Sequence, residues 1–390
     1  MYWSVTRRCV HLHLMYSKQS VENNAMFGPI PEWFTTSLKN LEYLDLGGNA
    51  FSGVLPSFSP MKRLKDAAFD NNSFSGSLEV FNNATALENL FLNDNLFEEA
   101  LPDDLFYDLT NLKTLDLSDN EIRGSFPQHF YRLETLDLHN NTMSGPMPTV
   151  DHVYPMKFLS VYRNSFNGQL PNLIGALLSL EHLDLSLNAF SGTLPDSLNN
   201  LGELRNLYLA YNNFDEGPIP ELMDVQFLHE LSLKGTNRIG PIGSWMGHSL
   251  KHLRLLDLHG NRLTGQIPAS LGLLEKLNFL MLNDNLLSGW VPDSFGDLQR
   301  LAMLTLDKND LSGMTPEICA TTGPPLLDYL TADCTYELDC KCCSECCEDG
   351  DQSCNQAELL ANLDDTYKRD QFVFSEDNLI FSFKEDGTPL

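Results

Sequence analysis

The 390-residue sequence is short of positive charge, with 25 Lys+Arg against 53 Asp+Glu and a net charge of −28. Phosphate backbones and anionic membrane surfaces are bound through Lys and Arg. The balance therefore argues against nucleic acid and acidic lipid as partners and favours a neutral or basic ligand. No run of 18 or more apolar residues is present, so no segment reads as a transmembrane helix. Catalytic motifs are missing as well: there is no G-x-G-x-x-G opening a helix, no Walker loop, no H-E-x-x-H, no G-x-S-x-G and no kinase signature. We therefore expect no enzyme, no cofactor and no resident metal. His11 and His13 alternate on a strand-like piece without a partner at ligand spacing and read as surface residues. Asp103/Asp104 and Asp364/Asp365 read as solvated acids, because nothing near them would hold a substrate. Cysteine is almost absent before residue 319, where Cys9 stands alone.

What is present is a unit of about 24 residues, written a dozen times. Copies read LEYLDLGGNAFSGVLP from Leu41, LKTLDLSDNEIRGSFP from Leu112, LEHLDLSLNAFSGTLP from Leu180 and LRLLDLHGNRLTGQIP from Leu253. The shared frame is L-x-x-L-x-L-x-x-N-x-Φ-x-G-x-Φ-P, with Φ apolar. Its L-x-L piece alternates with period two and predicts a short strand with one buried face. The Asn slot holds Asn49, Asn72, Asn95, Asn120, Asn141, Asn164, Asn188, Asn212, Asn261, Asn285 and Asn309, which we expect to stack as a hydrogen-bonded ladder. The Gly permits the next turn and the Pro stops the ladder from running on. One unit buries too little apolar surface to fold alone, so neighbours must share a core. Two departures predict a local distortion between about 212 and 240. One extra residue separates Asn212 from Gly217, and Thr236 stands where Asn is expected, with Asn237 one place late.

These residues resemble the plant-type leucine-rich repeat proteins, whose unit carries the added L-x-G-x-I-P half. The resemblance covers about residues 28–316. It implies an α/β solenoid, right-handed and curved, with a parallel β-sheet on the concave face and short helical or 3-10 turns and loops on the convex face. It also implies a non-catalytic recognition role, as the extracellular ectodomain of a receptor-like protein binding a protein, peptide or glycan on that concave face, with a membrane co-receptor as a further partner. A secreted enzyme inhibitor or wall-associated binder, and a cytosolic scaffold, are the alternatives.

We divide the chain into an N-terminal cap and partial first repeat (1–40), about twelve repeats (41–316), a half repeat with a Cys-rich cap (317–354) and an acidic tail with a possible short hairpin (355–390). In the first part, Val10, Leu12 and Leu14 read as a first strand, followed by a ragged insert and the GPIP at 28–31. Arg7 and Arg8 fall where a signal peptide would be apolar, and plant-type caps usually carry a Cys pair. Both lead us to expect an upstream signal or membrane anchor outside this chain. Cys319, Cys334, Cys340, Cys342, Cys343, Cys346, Cys347 and Cys354 fit a disulfide-linked cap, with an all-thiolate metal site as the rival. The ending C-x-CC-x-x-CC is similar to that of diatom leucine-rich repeat proteins. Asn71, Asn83 and Asn140 begin glycosylation sequons.

The slot between the two strand leucines mostly holds Asp, which we expect to face solvent. Interruptions mark candidate binding patches. Phe158, Tyr162, Arg163, His182, Leu187, Tyr208 and Tyr211 form the first. Leu255, Phe279, Met281 and Met303 form the second. Both are expected to be exposed.

Overall fold

The computed structural model describes residues 18–347, apart from 103–106, 108, 127–129, 149–154, 315–326, 328, 335–337 and 341–342. Val10–Leu14, His11, His13, Asp103/Asp104, Asp364/Asp365, Cys319, Cys342, Cys354 and the acidic tail lie outside the described residues. The chain divides into two compact units. The first is Met1–Leu180 with Leu187–Phe190, and the second is Glu181–Ser186 with Ser191–Leu390.

In the first unit each L-x-L piece forms a short parallel strand. These are β1 (Lys18–Ser20), β2 (Tyr43–Asp45), β3 (Asp66–Ala68), β4 (Asn89–Phe91), β5 (Thr114–Asp116), β6 (Thr135–Asp137) and β7 (Phe158–Ser160), paired in chain order. The register is one to one, so Leu44, Ala67, Leu90, Leu115, Leu136 and Leu159 stack and are buried. Ala67 leaves less side chain than its leucine neighbours. A Phe cluster lies beside it, with Phe58 stacked on Phe81 at 4.9 Å and edge-on to Phe69 at 5.2 Å. β1 falls inside the stretch read as a ragged insert. An end strand has a neighbour on one side only, so backbone pairing to β2 places it without an apolar pattern.

The second unit repeats the design in β8 (His182–Asp184), β9 (Asn206–Tyr208), β10 (Glu230–Ser232), β11 (Leu255–Asp257), β12 (Phe279–Met281), β13 (Met303–Thr305), β14 (Tyr329–Ala332) and β15 (Glu345–Cys346). In both units the frame Pro leads into a single 3-10 turn. Pro171, Pro195, Pro268 and Pro292 precede Asn172–Ala176, Asp196–Asn200, Ala269–Leu273 and Asp293–Asp297. Their φ angles of −67°, −76°, −72° and −64° are those the pyrrolidine ring imposes. The frame Gly sits where φ is positive, as at Gly168 (+78°) and Gly265 (+79°), which L-residues avoid.

The Asn residues tie coil to coil. Asn120 donates through Nδ2 to the Leu92, Leu117 and Ser118 carbonyls and accepts the Phe97 N–H at 3.1 Å. Asn285 does the same with Leu258, Leu282, Asn283 and the Leu263 N–H. At the irregular coil Thr236 Oγ1 donates to Leu233 O, and Asn261 Oδ1 accepts from both Thr236 N and Arg238 N. Arg238 is buried and donates to the Thr236, Pro218 and Asp215 carbonyls. A guanidinium has enough donors to satisfy several orphaned carbonyls at once, which is how the extra residue is absorbed.

At the C-terminal end Cys334–Cys346 joins the ends of β14 and β15, and Cys340–Cys343 closes a second loop. Cys347 is buried and disulfide-bonded. The Cys334, Cys340 and Cys343 sulfurs lie within 4.8 Å of one another, but all three are consumed in disulfides.

Candidate functional site

Within each strand the middle residue enters the core, so its two neighbours project to the opposite, front face of the sheet. In the first unit most of this front face is half-buried: Asp66, Ala68, Asn89, Phe91, Thr114, Asp116, Thr135, Asp137 and Phe158 keep some exposure, while Asp45 and Ser160 are buried. The Asp slot is not simply solvent-facing, as the sequence had suggested. Asp45, Asp116, Asp137, Asp184 and Asp257 each accept the backbone N–H two residues on, at 2.9–3.1 Å. A short carboxylate closes such a turn well, and Asp45, Asp184 and Asp257 are buried.

A cluster that sequence reasoning missed lies on this face. The His139 ring sits between Asp137 (Nδ1–Oδ1 2.8 Å) and Asp119 (Nε2–Oδ2 3.0 Å), with Tyr162 beside it at 6.2 Å between ring centroids. Burial works against the imidazolium. The hydrogen bonds and charges of Asp119 and Asp137 outweigh that and raise its pKa to about 11. Asp116 is pushed up to about 6, first by burial and then by the Asp137 charge. The D-x-H spacing of Asp137 and His139 was visible in the sequence. Asp119 comes from the preceding coil, and only the stacking reveals it.

Phe158 and Tyr162 are half-buried in this unit and Arg163 is exposed. Arg163 occupies the position before the ladder Asn at φ +53°, where Asp94 (+52°), Asp119 (+52°) and Asn140 (+50°) stand in neighbouring coils. A left-handed backbone is uncommon for a residue of this size.

In the second unit Tyr211 takes the same slot at φ +52°, is 37% exposed, and lies under Lys234 with Nζ 5.2 Å from the ring centroid. Leu187 likewise has φ +51° in the first. The exposure expected of the remaining second-unit residues is corrected by the structure. His182 and Tyr208 are buried, and so are Leu255, Phe279, Met281 and Met303. The Tyr208 hydroxyl donates to Glu230, whose carboxyl is pushed well up by burial. The front-face side chains of β8–β13 are thus buried like the core-facing ones, whereas the sequence pattern accounts for one face.

Of the sequon residues, Asn71 and Asn83 are exposed. The Asn140 amide donates to Asp119, which a glycan on that nitrogen would have to disrupt. Among the described residues no helix is long and apolar enough to cross a membrane.

Comparison with known proteins agrees with this geometry. The Leucine rich repeat family matches residues 85–143 and 251–311, and a second family of the same description matches 40–60 and 179–201. Receptor-like protein 35 of Arabidopsis thaliana is 29% identical over 304 residues, and Receptor-like protein 34 is 31% identical over 281. Each alignment covers 66% of this chain, against 30% and 29% of the relative. The chain therefore spans about a third of the length of the curated relatives it matches. Among solved structures, PEPR1–AtPEP1 superposes with a TM-score of 0.72 at 28% identity, covering 77% of this chain and 42% of that one. The Arabidopsis receptor kinase HAESA, in complex with the peptide hormone IDA and the co-receptor SERK1, gives 0.66 at 29%, covering 83% and 59%. The chain folds as a leucine-rich repeat solenoid and is similar in sequence to receptor-like proteins of Arabidopsis thaliana.

Proposed function

We propose that this chain is a non-catalytic extracellular recognition module of the receptor-like kind. It takes an extended neutral or basic peptide on the front face of the first unit, over Asp116, Asp137, His139, Phe158, Tyr162 and Arg163. The observation that carries this reading is the half-open row itself, a parallel sheet face with aromatic, imidazolium and carboxylate groups in adjacent coils. Repeating strands at fixed spacing suit an extended chain better than a compact metabolite. The HAESA complex supports a peptide as ligand and a co-receptor as second partner. The Cys334–Cys346 and Cys340–Cys343 disulfides support an oxidising, extracellular compartment.

The test is selection of random displayed peptides on the full chain, followed by affinity measurement on a Tyr162→Ala, Arg163→Ala double variant. Truncating two contact residues should weaken the selected peptides by about tenfold or more, with the thermal midpoint unchanged. Peptides that bind the double variant with unaltered affinity would overturn the assignment.

A further inference from the structure

One edge of the second unit breaks a charge pattern. Because the strands pair in register, the residue just before each strand stands beside its counterpart in the next coil. In the first unit this row reads Glu42, Lys65, Glu88, Lys113, Glu134 and Lys157, with Glu88 bridged to Lys113 at 2.7 Å and Glu134 to Lys157 at 2.9 Å. The second unit opens in the same way, with Arg205 Nε 3.3 Å from Glu181. The alternation then predicts an acid. His229 stands there instead, and Arg254 follows it.

Two more bases join this pair. His252 and Lys276 each precede the frame leucine of their coil, Leu253 and Leu277. The His229 and His252 rings are 6.0 Å apart, and Lys276 Nζ is 3.2 Å from His252 Nδ1. Backbone bonds keep the three coils in step: the Arg254 N–H donates to the His229 carbonyl at 2.6 Å and the Asn278 N–H to the Arg254 carbonyl at 2.8 Å. Among the described residues, Arg254, His252 and Lys276 form no salt bridge with a carboxylate. Glu230, next to His229 in sequence, does not supply one. It is buried, accepts the Tyr208 hydroxyl, and burial pushes its carboxyl well up, so it is held neutral.

Cations gathered without a counter-charge repel one another. Burial, and after it the charges of Arg254, Arg205, His252 and Lys276, hold the His229 imidazole down at about 4. Burial, Lys276 and Arg254 lower His252 as well. A chain of net charge −28 has many acids, yet none neutralises this group among the described residues. Such uncompensated charge marks a binding site more often than a structural ion pair. Arg254 offers a planar fork of donors, Lys276 a point charge, and the imidazoles become double donors once protonated. Four such side chains on three adjacent coils suit a tetrahedral dianion, which accepts on every side, better than a planar monoanionic carboxylate.

We propose that His229, His252, Arg254 and Lys276 form a binding site for a dianionic oxyanion group, sulfate or phosphate, on this edge of the second unit. Exposed Phe227, with its ring 6.0 Å from that of His252, gives an apolar wall for an organic substituent on the group. The site stands or falls independently of the peptide site on the first unit.

Histidine NMR on the full chain tests this. The Hε1 signals of His229 and His252, assigned through His229→Gln and His252→Gln variants, are followed at about pH 6.5 as sodium sulfate is added. Sodium chloride at matched ionic strength is the reference. Sulfate should shift both signals saturably while chloride does not, and bound sulfate should raise the His229 pKa by about one unit or more. Lys276→Gln and Arg254→Gln should each weaken sulfate about tenfold or more. Lys113→Gln, in the paired row of the first unit, should leave it unchanged. The His139 signal of the first unit and the thermal midpoint report that each variant is folded. Inorganic phosphate and the methyl esters of both anions separate the sources. Esters that bind as well as the free anions assign the site to a group carried on a larger ligand, and weaker esters assign it to the free anion. Equal shifts in sulfate and chloride would overturn the proposal, as would unaltered sulfate affinity in folded Lys276→Gln and Arg254→Gln.

Discussion

The two units are written in one repeat yet differ in their front faces. In the first, small and polar residues such as Ala68, Thr114 and Thr135 stay half-open beside an edge row of alternating Glu and Lys. In the second, Tyr208, Leu255, Phe279, Met281 and Met303 are buried, and the residues before the strands include His229 and Arg254. The repeat fixes only its leucines, Asn, Gly and Pro. The front-face slots lie outside that frame, so they diverge between units while the leucine core is kept. The difference teaches that two units built on one frame can present front faces of different exposure.

The largest expected effect comes from breaking the irregular coil of the second unit against a regular one of the first. Asn261 donates to the Leu233, Leu258 and His259 carbonyls and accepts from Thr236 and Arg238. Asn261→Ala strands all of these groups and should lower stability by about 3–5 kcal/mol. Asn164→Ala, in a half-buried rung of the first unit, should cost about 1–3 kcal/mol. Urea denaturation of both variants checks the order, and equal losses would mean that the double acceptance at Asn261 adds nothing.

A smaller effect is expected from pH and lies in the first unit. Asp116 has a raised pKa of about 6. Its folded form therefore binds a proton more tightly than the unfolded one, and stability contributed at low pH is lost as pH rises from about 4 to 6. Asp116→Asn should leave stability unchanged near pH 4 and raise it by about 1 kcal/mol at pH 7, as the amide oxygen still accepts from Ser118. His139 has the opposite reach. Its raised pKa makes its contribution fully present below about 6.5 and lost only as pH approaches 11. An NMR titration that finds His139 neutral at pH 8 would refute the Asp119–His139–Asp137 arrangement.

The least effect is expected on the first unit's edge row. Glu88 and Lys113 are paired at 2.7 Å but lie in solvent, where ion pairs contribute little. Glu88→Gln should leave the thermal midpoint within measurement error. A clear drop would show that the alternating row is a stabilising network rather than a solvated edge.

The frame was legible because periodicity is a local signal. Leu115, Asn120 and Pro195 each announce strand, turn and 3-10 entry within a few positions. The departure at Thr236 was legible for the same reason, as a break in the frame. Its solution, the buried Arg238, was not, because an Arg reads as a surface residue until carbonyls of its own coil (Thr236) and of the preceding one (Asp215, Pro218) converge on it. The candidate site was half legible. Phe158, Tyr162 and Arg163 stood out as interruptions. Asp119 is 20 residues from His139 in sequence and becomes its partner only when coils stack.

The sequence by itself determined the repeat, the parallel strands, the Asn rungs and the absence of catalytic motifs, since each depends on residues within one coil or on its fixed spacing to the next. Only the tertiary structure decided which front-face residues are reachable. Strand alternation tells which way Tyr208 or Met281 points, but whether that side meets water depends on what lies over it, and burial is a property of neighbours remote in the chain.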